Sequence, residues 1–353
     1  MDESRIAFLQ QLVNTPSPSG FEQPIQRIIR GEFDQYADEV RSDVLGNVIG
    51  VLDSQSSPRV MITGHCDEIG FMVRHISEEG YIYFAPIGGI DRQVITSHRV
   101  MVHNAKGPVL GALGRQAIHL MSDDERKKIF DFHEMWIDIG AKNKEDALAR
   151  VAIGDPITLT DSFDRLTDDL VLARAFDDKV GAFIVTEVLR SLAENRPQAT
   201  VFAVSTVQEE IGLRGAVTSA FGLEPDVAIA IDVGHATDYP GVDKKKAGDV
   251  KLGQGPLLYR GANMNPVVVD LLIKAANTAE IPFQMVAAPS GPGTDAHAVQ
   301  LSKTGVATAV VSPGLRYMHS PAEIVSLSDL ENVAKLVAAF IHLLEPGMNF
   351  IPL

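Results

Sequence analysis

The stretch VFAVSTVQEEIGLRGA constrains this chain most. An apolar, β-rich run from Val201 to Ser205 reads as a buried strand, and two adjacent carboxylates, Glu209 and Glu210, follow where it ends. Burying one carboxylate is costly, and burying two side by side costs more unless a cation meets them. Their adjacency also suits a division of labour, one carboxylate binding a metal while the other moves a proton. Polar groups at the carboxyl end of a buried strand are where open α/β sheets place their sites.

The pattern recurs along the chain. PRVMIT runs into Gly64-His65-Cys66-Asp67-Glu68, LVLARAF leads to Asp177-Asp178-Lys179, DVAIAIDV carries Asp232 at its end, and ATAVVS opens the loop PGLRYMHS with His319. Helical stripes alternate with these strands: Ile6, Leu9, Leu12 and Val13; Phe21, Ile25, Ile28, Ile29 and Phe33; Phe183, Ile184, Val188 and Leu192; Val268, Leu271, Leu272 and Ala275. A last stripe, Val333, Leu336, Val337, Phe340 and Leu344, follows a capping box expected at Ser328 to Glu331. VRSDVLGNVIGVLD reads as two strands around Leu45-Gly46-Asn47. The alternation predicts an α/β domain.

From about residue 70 to 162 the helical period fades. Short β-like runs replace it: FMVRHI, YIYFAPI, RVMVHN, PVLGALG, MWIDIGA and DPITLT. Short helices are expected after Ser122, which has capping-box spacing to Glu125, and after Asn143. The expectation is a small β-rich barrel, residues 70–162, inserted into a discontinuous α/β domain of residues 1–69 and 163–353.

Composition removes some partners. With 46 acidic and 31 basic residues the net charge is -15, which argues against nucleic acid or an anionic membrane as the main partner. A single cysteine, Cys66, allows no intrachain disulfide and fits a reducing cytoplasm. MDESRIAFLQQLV lacks the basic start and apolar core of a signal peptide, and no apolar run approaches a membrane span. A cytoplasmic location is therefore expected.

The strand-end residues to bring together are His65, Asp67, Asp177, Glu209, Glu210, Asp232 and His319. Two imidazoles with several carboxylates form a set that zinc binds well, and one carboxylate too many for a single ion suggests two. Competing readings exist. Asp178 suits a helix N-cap. Asp226, Asp238 and Asp243 compete with Asp232, which is chosen because it ends an unbroken apolar run. His235 and His297 compete with His319, which lies on a loop free to reach a metal. Asp295 suits either a helix cap or a pocket rim.

GHCDEIGF, ARAFDDKVG, VQEEIGLRGA, AIDV, GPGTDAHA and RYMHSPAE, in this order, resemble the successive motifs of the dinuclear-metal aminopeptidases that assemble as tetrahedral (TET) particles, a family also labelled glutamyl aminopeptidase or endoglucanase-like. GGIDRQV, SDDERKK, IDIGA and GDPITL extend the resemblance through the inserted segment. The resemblance implies a doubly wound mixed sheet with helices on both faces, as in zinc exopeptidases. It also implies roles. His65 and Asp232 would ligate one metal, Glu210 and His319 the other, and Asp177 would bridge them. Glu209 would be the general base and Asp67 would brace His65. Two divalent ions per subunit are implied, zinc first with cobalt or manganese as alternatives. Short peptides would be the substrates, and dimers formed through the inserted domain would build a dodecamer. Cys66 and Lys179 depart from the residues more usual at their positions. The alternative activity is another two-metal hydrolase, an amide deacylase or a glycan hydrolase. Specificity is expected from loops 253–265 and 289–297.

Overall fold

The computed structural model describes residues 1–160, 163–291 and 293–353. The far edge expected for the inserted domain, residue 162, and Pro292 of the GPGTDAHA motif lie outside the described residues.

Two helices, α1 (Glu3–Asn14) and α2 (Gln23–Phe33), precede an antiparallel hairpin of β1 (Glu39–Ser42) and β2 (Val48–Leu52). After β3 (Arg59–His65) the chain leaves the sheet for β4 (Gly70–Ile76), β5 (Ile82–Ile87), β6 (Arg99–Val102), β7 (Val109–Gly114), β8 (Trp136–Asp138), α3 (Lys144–Arg150) and β9 (Pro156–Leu159). These six strands close into a barrel in the order β4-β5-β8-β7-β6-β9. Phe71, Phe84, Val100, Ile137 and Ile157 fill its interior, separate from the main core. Asn143 caps α3 by accepting from the Asp146 N–H. The Ser122 box is present too, with the Glu125 carboxylate accepting from Ser122 N–H, but it opens only a single 3₁₀ turn.

The chain returns through β10 (Phe163–Arg165), β11 (Leu170–Ala173), α4 (Phe176–Glu194) and β12 (Thr200–Thr206). Next come α5 (Arg214–Leu223), β13 (Val227–Ile231), β14 (Gly234–His235), α6 (Lys244–Ala247), β15 (Leu257–Gly261), α7 (Pro266–Thr278) and β16 (Gln284–Ala288). The final elements are α8 (Asp295–Gln300), β17 (Ala307–Ser312), β18 (Gly314–Leu315), β19 (Glu323–Ser326) and α9 (Leu327–His342).

The main sheet runs β1-β2-β12-β3-β13-β17-β15-β16. Its centre, β12-β3-β13-β17, is parallel, while β2 and β15 join antiparallel, so the sheet is mixed as expected. Successive strand residues point to opposite faces. Val60 and Ile62 therefore enter one core with Leu9, Phe183 and Phe340 from α1, α4 and α9. Met61, between them, packs on the other face with Ala216 and Ala220 of α5 and Val299 of α8. Both faces are covered, which explains the uninterrupted apolar strands. Among the described residues no helix is long and apolar enough to cross a membrane.

One local expectation fails. The cap of α9 is Ser326, whose hydroxyl accepts from Asp329 N–H, and not Ser328. The chain enters the helix directly from β19, and Asp169 fixes the junction by accepting from the Ser326 hydroxyl and the Ser328 N–H.

Candidate active site

The four parallel strands end along one edge of the sheet. His65 is the last residue of β3 and pairs with Thr206 of β12; the carboxylate doublet follows three residues on. Asp232 comes directly after β13, and the loop beyond β17 and β18 brings in His319. Asp177 lies at the entry to α4, where the backbone is not yet helical. Five segments thus converge. All seven candidate residues except Glu210 and His319 are buried, and those two are half-buried.

Asp177 lies between two imidazoles. Its Oδ1 is 3.3 Å from His65 Nε2, and its Oδ2 is 3.2 Å from His319 Nε2. Glu210 Oε1 lies 3.4 Å from His319 Nε2 and is buried without a hydrogen-bond partner. Ligand atoms of His65, Asp177 and Glu210 lie within 4.8 Å of one another, as do those of His65, Asp178 and Asp232. Glu209 and His319 belong to neither group; Glu209 Oε2 stands 3.9 Å from His65 Nε2. A carboxylate with its two oxygens turned to two imidazoles, beside an orphaned buried oxygen, is a donor set that fits divalent cations.

The electrostatics point the same way. Burial pushes Glu209 up to about 10; His65 opposes this, and Asp232, Asp295 and Glu210 add to it. Burial likewise raises Glu210, and it raises Asp232 and Asp178 well above the ordinary carboxylate value. Burial also acts against the ionised form of Asp177, yet His319 and His65 hold that carboxyl below its usual range. Contacts with Asp177 and Glu210 push His319 up to about 11. Two imidazoles do not balance five gathered carboxylates, and buried charge of one sign requires a partner.

Asp67 holds the frame. Its carboxylate accepts from the backbone N–H groups of Glu209 and Glu210 at 3.0 and 3.2 Å and from the Ser19 hydroxyl at 2.6 Å. Toward His65 its nearest atom is the main-chain oxygen, 3.1 Å from Nδ1, with Oδ1 at 3.5 Å. The side chain therefore grips the doublet's backbone more firmly than the imidazole. Asp178 does cap the start of α4, with Oδ1 accepting from Gly181 N–H at 3.0 Å, but its Oδ2 also accepts from His65 N–H.

Sequence reasoning missed Glu323. Buried at the start of β19, it accepts from Asp177 N–H at 3.2 Å and from His319 N–H at 2.9 Å. That second bond helps hold His319 in the left-handed region, at φ 60°. The RYMHSPAE motif contained Glu323, but its spacing gave no sign of a backbone role. Asp295 departs from the rim reading. It is buried at the first turn of α8, and its Oδ2 accepts from Thr63 and Thr206 hydroxyls, both at 2.6 Å, bracing the ends of β3 and β12. His297 hydrogen-bonds Asn263 away from the centre, while His235 is exposed on the cleft rim. Cys66 is buried, and burial raises its thiol well above the usual value, so its reactive thiolate is suppressed. Lys179 is fully buried and donates to Glu68 at 2.8 Å and to the Thr15 carbonyl.

A mixed sheet whose parallel centre carries this chemistry along its carboxyl edge is that of an α/β enzyme. The family model of the M42 glutamyl aminopeptidases matches residues 46–336. A lysyl aminopeptidase of Pyrococcus furiosus is 36% identical over 98% of both chains. The TET aminopeptidase from the marine sediment archaeon Thaumarchaeota archaeon SCGC AB-539-E09 superposes with a TM-score of 0.92 at 37% identity, covering 97% of each chain. The TET1 peptidase of Pyrococcus horikoshii, which can assemble into a tetrahedron or a large octahedral shell, gives 0.85 at 32% identity over 96% of this chain and 100% of its own. The chain belongs to the M42 aminopeptidase family, and is a peptide hydrolase by that membership.

Proposed function

We propose that the chain is a dinuclear metallo-aminopeptidase that removes the N-terminal residue from short peptides. The observation that carries this reading is Asp177, whose two oxygens face His65 and His319. His65 and Asp232 would hold one divalent cation, Glu210 and His319 a second, with Asp177 between them. Zinc comes first, with cobalt or manganese as alternatives. When bound, such cations supply a water of lowered pKa and polarise the scissile carbonyl. Glu209 accepts the proton of the attacking water and returns it to the leaving amine. Asp67 keeps Glu209 and Glu210 in place through their backbone, and Glu323 does the same for Asp177 and His319. The carboxylate-rich floor draws a free α-amine, which confines cleavage to the N-terminal residue.

Glycan hydrolysis is less well supported. It calls for two carboxylates flanking a sugar-sized groove. Tyr259 is the one aromatic ring besides imidazoles among the described residues lining the cleft. The barrel is assigned to subunit pairing and, by analogy with the tetrahedral relative, to a dodecamer. The decisive experiment compares leucine p-nitroanilide with its N-acetyl form and with carboxymethylcellulose, with and without a chelator. Cleavage of the free-amine substrate alone, abolished by chelation, is expected. Turnover of the polymer alone would reverse the assignment.

A further inference from the structure

The cleft over the centre, about 390 Å³, has a floor and a wall of opposite chemistry. The floor is the group of imidazoles and carboxylates. The wall is formed by Val233, Val250, Leu257, Tyr259, Val286 and Met318. Its volume lies within the range of small-molecule sites.

Three features make this wall a built pocket. Val250 and Leu257 form, with Ala236, a small apolar cluster of their own, against which Tyr259 and Val286 pack. The Tyr259 hydroxyl contacts Ser312 Oγ at 3.1 Å, so its polar end already has a partner. Gly234 sets the depth: a Cβ there would stand 2.3 Å from Tyr259 Oη and 2.6 Å from Leu257 Cδ1. Any larger residue would force the tyrosine or the leucine to move. Among the described residues of the lining, no lysine or arginine occurs, and every carboxylate belongs to the centre itself. His235, on the exposed rim, is the one other titratable side chain besides Tyr259.

We propose that this wall receives the side chain of the residue being released and selects an uncharged, apolar N-terminal residue of leucine or methionine size. The inference rests on the aminopeptidase reading above and narrows it. A lysine or glutamate side chain would have to bury its charge against valine and leucine with no counter-charge on the wall, an arrangement that burial penalises heavily. A leucine side chain would instead shed its water against apolar surface.

The test uses the metal-loaded enzyme and p-nitroanilides of leucine, methionine, lysine and glutamate. Leucine and methionine are expected to exceed lysine and glutamate in kcat/KM by at least about tenfold, the lower end of what apolar pocket contacts discriminate. In Val286→Glu, a carboxylate replaces a half-buried wall residue, and the leucine-to-lysine ratio should fall by at least about tenfold. A wild-type preference for lysine or glutamate overturns the pocket assignment and leaves the aminopeptidase reading standing. So does an unchanged ratio in a folded, active Val286→Glu enzyme. Cleavage of none of the four substrates overturns both. Should Val286→Glu fail to fold, the wild-type panel decides alone.

Discussion

Glu209 is buried 3.9 Å from His65 Nε2, beside the two ligand groups and in neither. In the proposed mechanism it would move protons without holding the ions. Glu209→Gln keeps its shape and hydrogen-bonding capacity and removes its basicity. Turnover should fall by about 10²–10⁴-fold, the usual contribution of a general base. Metal content measured by atomic emission should stay at the wild-type level. Loss of the metals, or unchanged turnover, would contradict the role. The candidate residues could be picked out because each follows a run of apolar β-formers, His65 and Asp232 at its end and the others a few residues on, where a carboxylate or imidazole stands out. Glu323 and Ser19 were not legible. They act by binding backbone or another carboxylate, and the partner of each lies more than forty positions away or is itself a main-chain group. Asp295 was misjudged because nothing in GPGTDAHA reveals that two threonine hydroxyls on neighbouring strands meet it.

At the scale of elements, the approach of β3 to α4 fixes where His65 and Asp177 meet. Gly64 makes that approach possible: a Cβ there would lie 2.3 Å from the backbone carbon of Gly181 and 2.6 Å from its oxygen. Backbone cannot swing aside as a side chain can. Gly64→Ala must push α4 off the strand, and overpacking of this kind costs about 1–3 kcal/mol. Thermal melting should report that loss, and kcat/KM should fall with it, because Asp177 rides on the start of α4. A variant with wild-type melting and activity would show that the contact is not limiting. The elements read from periodicity were legible because strands covered on both faces read as unbroken apolar runs and helices as stripes, but α5, β10, β15, β16 and β19 were not read from the sequence. Nor was the start of α9. Ser326 and Ser328 both suit a cap, and only the route of the chain out of β19 selects Ser326.

Over the whole molecule, part of the acidic excess sits where it is hardest to tolerate. Asp177, Asp178, Glu209 and Asp232 are buried together with half-buried Glu210, and burial pushes all five up, with only Asp177 brought below its usual range by the two imidazoles. Cations at this edge would therefore stabilise the fold as well as serve catalysis. A ligand that binds only the folded state adds about 4 kcal/mol at a thousandfold excess over its Kd. With roughly 2–4 °C of melting temperature per kcal/mol in domains of 150–250 residues, removal of the ions by dialysis against a chelator should lower Tm on the order of 10 °C. Adding back zinc should restore it, cobalt or manganese doing so according to their affinities. Calorimetry paired with metal analysis makes the measurement unambiguous. If the ions are gone and the melting temperature has not moved, the buried carboxylates neutralise one another by sharing protons, and cations are not what holds this edge of the fold together.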